Sequence, residues 1–376
     1  MFTRRLTIFN LFGFPVRVDL TWIVIAVLVV WSLSAGLFPR LYPDLSRGTY
    51  FLMGVLGALG LFISIILHEF AHSRVAHSRG MPMKGITLFI FGGVAEMTDE
   101  PEDPETEFRM AVAGPLASIA IAACCFGIER LGLYLDWPET ATGIFRYLWW
   151  INLILVAFNA VPAFPLDGGR ILRSILWKTK GSLKKATRTA SSIGSGFGVL
   201  LMIVGGISFI TGNFIGGIWW VIIGMFLRGA ARMSYQQLLV RRALEGETTG
   251  RFMKSDPVTV SPDVTIDEFV NDYVYKHHYK LFPVVEDSRL AGCIHTRDIR
   301  DIPKEEWPLK KVGDLAQKCT DVNSIGADQD ATKALAKMRK NDVSRLMVLE
   351  GGRLVGVITL KDLLEFLSLK VELEED

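Results

Sequence analysis

Five stretches of this chain, residues 20–39, 48–67, 111–128, 147–166 and 189–227, contain no Asp, Glu, Lys or Arg. About 18 or more consecutive apolar residues suffice for a helix to cross a bilayer, so these stretches bound the fold before any motif is considered. The last is 39 residues long and is broken by Thr211-Gly212-Asn213, a turn sequence that divides it into two helices of spanning length. The expected architecture is therefore a polytopic α-helical membrane protein with about six transmembrane helices. A mean hydropathy of +0.32 with half the residues apolar agrees with this. From residue 251 onward charge is dense and no spanning stretch recurs, so this third reads as soluble.

The formal net charge is only +2, too small for a nucleic-acid footprint, and no direct nucleic-acid partner is expected. The basic residues are nevertheless localised. Arg4, Arg5 and Arg17 precede the first span, Arg74, Arg79 and Lys84 follow the second, seven basic residues lie between Arg170 and Arg188, and Arg228, Arg232, Arg241 and Arg242 follow the sixth. The positive-inside rule then places both termini, and the soluble third, in the cytoplasm of a multi-pass cell-membrane protein. Cys124, Cys125, Cys293 and Cys319 show no CxxC or disulfide spacing and read as reduced. The N-terminus has no cleavage pattern before Leu20, so no removable signal peptide is expected.

The second span ends in His68-Glu69-Phe70-Ala71-His72. Histidines at i and i+4 share one face of a helix and can direct both imidazoles at one metal ion, and the adjacent Glu is placed to act on a water there. Zinc suits such a donor set, and a catalytic zinc has three protein ligands and an open position. The plainer alternative is a helix cap with both histidines near the interface. Asp167 is the candidate third ligand. It follows the fourth span in Pro162-Ala163-Phe164-Pro165-Leu166-Asp167-Gly168-Gly169, where two prolines prevent a regular helix, and irregular backbone at membrane depth must be packed in protein or line a cavity. The second and fourth spans run in the same direction, so His68, His72 and Asp167 fall at one depth. The competing reading of Asp167 is a turn residue, and Glu96, Asp99 and Glu100 are rival ligands.

Residues 85–96 are rich in β-branched and aromatic residues and punctuated by glycine, which predicts a membrane-associated β-hairpin. Its edge, around Gly92 and Gly93, could hold an extended peptide by strand addition; a simple surface hairpin is the alternative. The next twelve residues, 96–107, hold seven acids and two prolines and read as a solvated loop. Ala113-Gly114-Pro115 reads as helix packing. Asn159 offers an amide at membrane depth, suited to a substrate carbonyl or a developing oxyanion, or to joining helices. The charges from Arg170 to Arg188 read as topology determinants, and His77 as a surface residue.

A polar linker, 241–250, leads to an internal repeat in which residues 288–299 align without gaps with 352–363. Each unit reads as helix, strand, turn, strand, helix, and the Gly-x-x-Thr-x-x-Asp ending is suited to ribose and phosphate at a helix N-terminus. The expected domains are 1–240 in the membrane, 251–310 as repeat 1 and 311–376 as repeat 2.

His68 to His72, Phe91-Gly92-Gly93, Ala113-Gly114-Pro115, Asn159 to Pro162, Pro165 to Gly168 and the two repeats together resemble the site-2 protease family of intramembrane zinc metalloproteases, in the subgroup with a C-terminal pair of cystathionine-β-synthase (CBS) repeats. The resemblance covers nearly the whole chain. It implies one Zn²⁺ per chain bound by His68, His72 and Asp167, Glu69 as catalytic base, Asn159 in the active site, and cleavage within transmembrane segments of protein substrates in regulated intramembrane proteolysis. It also implies a cytoplasmic α/β CBS pair that binds ATP or AMP and often forms homodimers; the alternative is a purely structural module. His295 stands where the second repeat has Thr359, which places the nucleotide contacts at Thr359 and Asp362, with Asp298 a lesser candidate. The rival function is a CBS-regulated ion transporter or channel using the same His and Asp site; a general base at Glu69 argues for hydrolysis instead.

Overall fold

The structure is a computed structural model that describes residues 5–81, 83–90, 92–97, 101–287, 289–317, 322–341 and 343–366. Phe91, Asp99, Glu100 and Cys319, and the side chain of Glu96, lie outside what is described. The chain divides into two compact units, Met1–Gln236 and Gln237–Asp376.

Among the described residues six helices are long and apolar enough to cross a membrane: α1 (Thr21–Leu41), α2 (Arg47–Ser78), α3 (Pro104–Tyr134), α4 (Glu139–Asn159), α6 (Leu183–Ile210) and α7 (Phe214–Leu244), with the shorter α5 (Asp167–Lys180) between α4 and α6. Their starts are fixed by local chemistry. Asp19 Oδ1 accepts from the N–H and hydroxyl of Thr21 ahead of α1, Ser46 accepts from the N–H of Thr49 at the head of α2, and Asp103 accepts from the N–H of Thr106 at the head of α3, each satisfying an otherwise unpaired helix N–H. The break between α6 and α7 falls at Thr211-Gly212-Asn213, where Gly212 takes a φ of +99°, as the turn sequence predicts.

Residues 104–107, expected in a solvated loop, instead form the first turn of α3, because Asp103 caps the helix and Pro104 is well placed in its first turn. Four strands lie beside the helices in the order β1 (Arg5–Leu11), β2 (Phe14–Asp19), β3 (Met83–Phe89) and β4 (Gly92–Met97). The expected hairpin is β3–β4. The N-terminal hairpin β1–β2 is an addition the sequence reading did not contain: Phe12 and Gly13 turn it with positive φ of 46° and 90°, and β2 runs parallel to β3, with Val16, Arg17 and Val18 opposite Ile86, Thr87 and Leu88.

In the second unit β6 (Leu281–Glu286) pairs with β7 (Arg289–His295), while β5 (Lys254–Ser255), β10 (Arg353–Thr359), β9 (Arg345–Glu350) and β8 (Ser324–Gly326) form a second sheet in that order. The equivalent hairpins β6–β7 and β9–β10 express the repeat, each preceded by helical residues, 266–277 and α8 (Ala331–Asn341). The repeats differ after the hairpin. Residues 360–366 are α-helical, whereas Thr296–Ile299 makes only a 3-10 turn. Leu281, Cys293 and Met347 join the two halves in a shared apolar cluster.

Candidate active site

His68 and His72 lie one turn apart on α2 and are both buried, as is Asp167, the first residue of α5. The loop from Ala160 to Leu166 brings Asp167 there. Pro162 and Pro165 supply no N–H to continue α4; Ala163 N–H donates to the Val161 carbonyl and Leu166 N–H to the Ala163 carbonyl within the loop, while Phe164 N–H reaches the Ala190 carbonyl of α6. The two glycines after Asp167 let α5 pack onto this loop: a Cβ at Gly168 would lie 2.4 Å from the Ala160 carbonyl oxygen, and one at Gly169 2.2 Å from the Phe164 nitrogen.

The donor atoms converge. His68 Nε2 is 3.1 Å from Asp167 Oδ2, His72 Nε2 is 3.3 Å from Asp167 Oδ1, and the two Nε2 atoms are 3.2 Å apart. Ligand atoms held about 2.0–2.1 Å from zinc in a tetrahedron are themselves about 3.3–3.4 Å apart, so the spacing fits that ion. The outer ring nitrogens set the tautomers. The Met110 carbonyl, 2.7 Å from His72 Nδ1, can only accept, so Nδ1 carries the proton and the Nε2 lone pair faces the centre. His68 Nδ1 lies 2.9 Å from Ser118 Oγ, which holds the ring in place and can accept its proton when Nε2 faces the centre. Between these two supports on α3 sits Gly114, whose missing side chain leaves room for both imidazoles: a Cβ there would lie 2.2 Å from His72 Nε2 and 2.6 Å from His68 Nε2.

Glu69, Asn159, Gly92 and Gly93 line one cavity of about 550 Å³ with the three donor residues. Apart from Arg170, the rest of its lining is apolar and aromatic, including Trp22, Phe62, Ile151, Leu155, Trp219 and Ile223. Gly93 packs on the face of α2 that carries Glu69, where a Cβ would meet Glu69 Cγ at 2.7 Å.

The model of peptidase family M50 matches residues 56–133 and 136–205, and that of the CBS domain matches residues 250–305 and 312–369. A zinc metalloprotease of Methanocaldococcus jannaschii is 33% identical over 98% of this chain and 97% of its own length. The chain belongs to the site-2 protease family. A protein of Synechocystis sp. that also bears the name of a zinc metalloprotease is 34% identical, covering 93% of this chain and 92% of its own. Among solved structures, the site-2 protease from Methanocaldococcus jannaschii is 29% identical, covering 61% of this chain and 94% of that one at a TM-score of 0.42. This site-2-protease-type zinc metalloprotease is thus a multi-pass membrane protein with a CBS pair, and membership of a protease family turns the reading away from a transporter or channel.

The nucleotide candidates of the protease lie in the second unit and are occupied locally. Thr359 Oγ1 donates to Asp362 Oδ2 at 2.6 Å, the Thr359 N–H donates to the same oxygen at 3.0 Å, and the Asp362 N–H donates back to Thr359 Oγ1 at 3.2 Å. In the first repeat the His295 N–H donates to Asp298 Oδ2 at 2.9 Å and Gln317 Nε2 to Asp298 Oδ1 at 3.4 Å. Burial, with Arg297 and Arg345 nearby, pushes the His295 imidazole below its ordinary range. Arg345 stands opposite Thr359 in the pairing of β9 with β10.

Sequence reasoning did not find the supports of the two histidines. Ser118 follows Gly114 by one helical turn, a polar residue on the same face of an apolar span, and that spacing was the available signal. The Met110 carbonyl is backbone and leaves no trace in residue type.

Proposed function

We propose that the protein is an intramembrane protease that hydrolyses peptide bonds in transmembrane segments of other membrane proteins, with residues 1–240 as the protease domain and the repeats at 251–310 and 311–376 as its regulatory part. The observation that carries this reading is the approach of Asp167 to His68, 99 residues away in sequence, in a largely apolar cavity that Glu69 also lines. His68, His72 and Asp167 would hold the ion. When bound, zinc acidifies the attacking water and polarises the scissile carbonyl. Glu69 takes the proton of that water and passes it to the leaving amine. Asn159 offers its amide to the substrate carbonyl or the oxyanion. The apolar walls admit the side chains of a membrane segment, and β4, the outer strand of the sheet, gives Gly92 and Gly93 as the place where that segment is held extended, as hydrolysis of a helical substrate requires.

Both termini are assigned to the cytoplasm. The pairing of β2 with β3 across the two crossings α1 and α2 supports a common side for the N-terminus and β3, and the basic residues that flank the spans on that side support its being the cytoplasm. Thr359 and Asp362, with Asp298 in a lesser part, are assigned to an adenine nucleotide, ATP or AMP, that modulates cleavage, and the CBS pair to a homodimer contact. The test of the central reading is zinc per chain in detergent-purified protein by elemental mass spectrometry. One zinc in the wild type, lost in Asp167→Ala, is the expected result; undiminished zinc in the variant would return the third ligand to Glu96 or its neighbours.

A further inference from the structure

Helices α3 and α5 supply different parts of the site. The first brings the Met110 carbonyl, Gly114 and Ser118 to the histidines; the second begins with Asp167. An ion pair at neither ligand joins them. Arg173 Nε donates to Glu107 Oε1 at 2.6 Å and Arg173 Nη2 reaches the same oxygen. The Glu107 side chain is wholly buried and that of Arg173 is 4% exposed.

Desolvating two such charges offsets most of their attraction, so a pair of this kind is weak evidence of stability and its geometry is the informative property. Glu107 stands one turn before Met110, on the same face of α3. Arg173 has a second neighbour, for its Cζ lies 4.9 Å from the centroid of the Phe164 ring, three residues before Asp167. Phe164 is held from the other side by α6: its N–H donates to the Ala190 carbonyl at 3.4 Å, and its own carbonyl fits against Gly194, where a Cβ would be 1.9 Å away. One guanidinium therefore touches both the helix that orients the histidines and the loop that carries the carboxylate.

We infer that Glu107 and Arg173 are positioning residues for the metal site, the pair setting the distance between α3 and the Asp167 loop and hence the spacing of the three donor atoms. The inference rests on the three-ligand reading above. Groups that orient ligands from outside typically change metal affinity by about 10–100-fold when removed.

The test is made on detergent-purified full-length protein, with zinc affinity from chelator competition, thermal unfolding of the zinc-free form, and kcat and KM on a cleaved substrate. Glu107→Gln and Arg173→Lys are each expected to weaken zinc binding by about tenfold or more and to lower kcat more than they raise KM. Phe164→Leu buries no unpaired charge and leaves the pair intact; it is expected to weaken zinc several-fold, and it decides the matter if neither pair variant folds. Folded variants that keep zinc affinity and kcat within twofold of wild type overturn the inference, whether or not their unfolding temperature drops, because the pair is then only a clamp between helices. Zinc retained in Asp167→Ala would remove the three-ligand reading itself. Zinc lost there but kept in all three positioning variants would leave that reading standing and remove only this one.

Discussion

Only the α-hydrogens of Gly114 separate the backbone of α3 from the imidazole of His72, since a Cβ at this position would lie 2.2 Å from Nε2. Real Cβ contacts are never so short, so the methyl group of alanine must displace the helix or both rings. Gly114→Ala is expected to lower the zinc content of purified protein by about tenfold or more; one zinc per chain in the variant would show that the site tolerates the displacement.

Glu69 lines the cavity beside the ligands without belonging to the cluster of donor atoms. Glu69→Gln keeps the shape and loses the base. It should retain wild-type zinc while cleavage of a co-expressed substrate falls by about 10²–10⁴-fold, and persistent cleavage would take Glu69 out of that role.

Ser118→Ala leaves the His68 Nδ1 without the hydroxyl 2.9 Å away. Zinc affinity measured by chelator competition is expected to fall by about tenfold. An unchanged affinity would make the Met110 carbonyl and the burial of the rings sufficient to orient them.

Thr359 and Asp362 bond to one another at the start of a helix, and a phosphate taken up there would exchange these local bonds for its own. Titration calorimetry with ATP and AMP is expected to show about a 10–100-fold loss of affinity in Thr359→Ala, the cost of one hydrogen bond to a charged group. Equal binding by wild type and variant would move the ligand elsewhere.

The His295 imidazole is held below its ordinary value of 6.5, first by burial and then by Arg297 and Arg345. Above pH 6.5 the ring is neutral in both the folded and the unfolded chain. As the pH falls below 6.5 the unfolded chain takes up the proton first, and stability is lost down to the folded pKa. The wild type should therefore lose more thermal stability between pH 7 and pH 5 than His295→Thr, which carries the residue of the second repeat; equal losses would assign the acid sensitivity to other groups.

The spans, the β3–β4 hairpin and the convergence of Asp167 with the histidines were legible because each rests on a local signal: charge-free length, glycine-punctuated strand residues, and prolines that must break a helix. The N-terminal hairpin was not legible, since the partner of β2 lies some 70 residues away beyond two helices and Arg5 and Arg17 read equally well as flanking charge. Glu107 and Arg173 show the same limit. One was counted within an acidic, solvated stretch and the other among topology-setting cations, and nothing local reveals that the two neutralise each other 66 residues apart. Gly114 was assigned to helix packing, which is correct in kind, but its neighbours are imidazoles rather than another backbone.

The parallel contact of β2 with β3 also orders events in time. Residues 14–19 are synthesised before α1, and their partner emerges only after α1 and α2, so the sheet cannot be completed until both helices have been made. The strand that carries Gly92 and Gly93 is the last of the four to be made. A change in the β1–β2 hairpin accordingly acts on the sheet whose far edge carries Gly92 and Gly93.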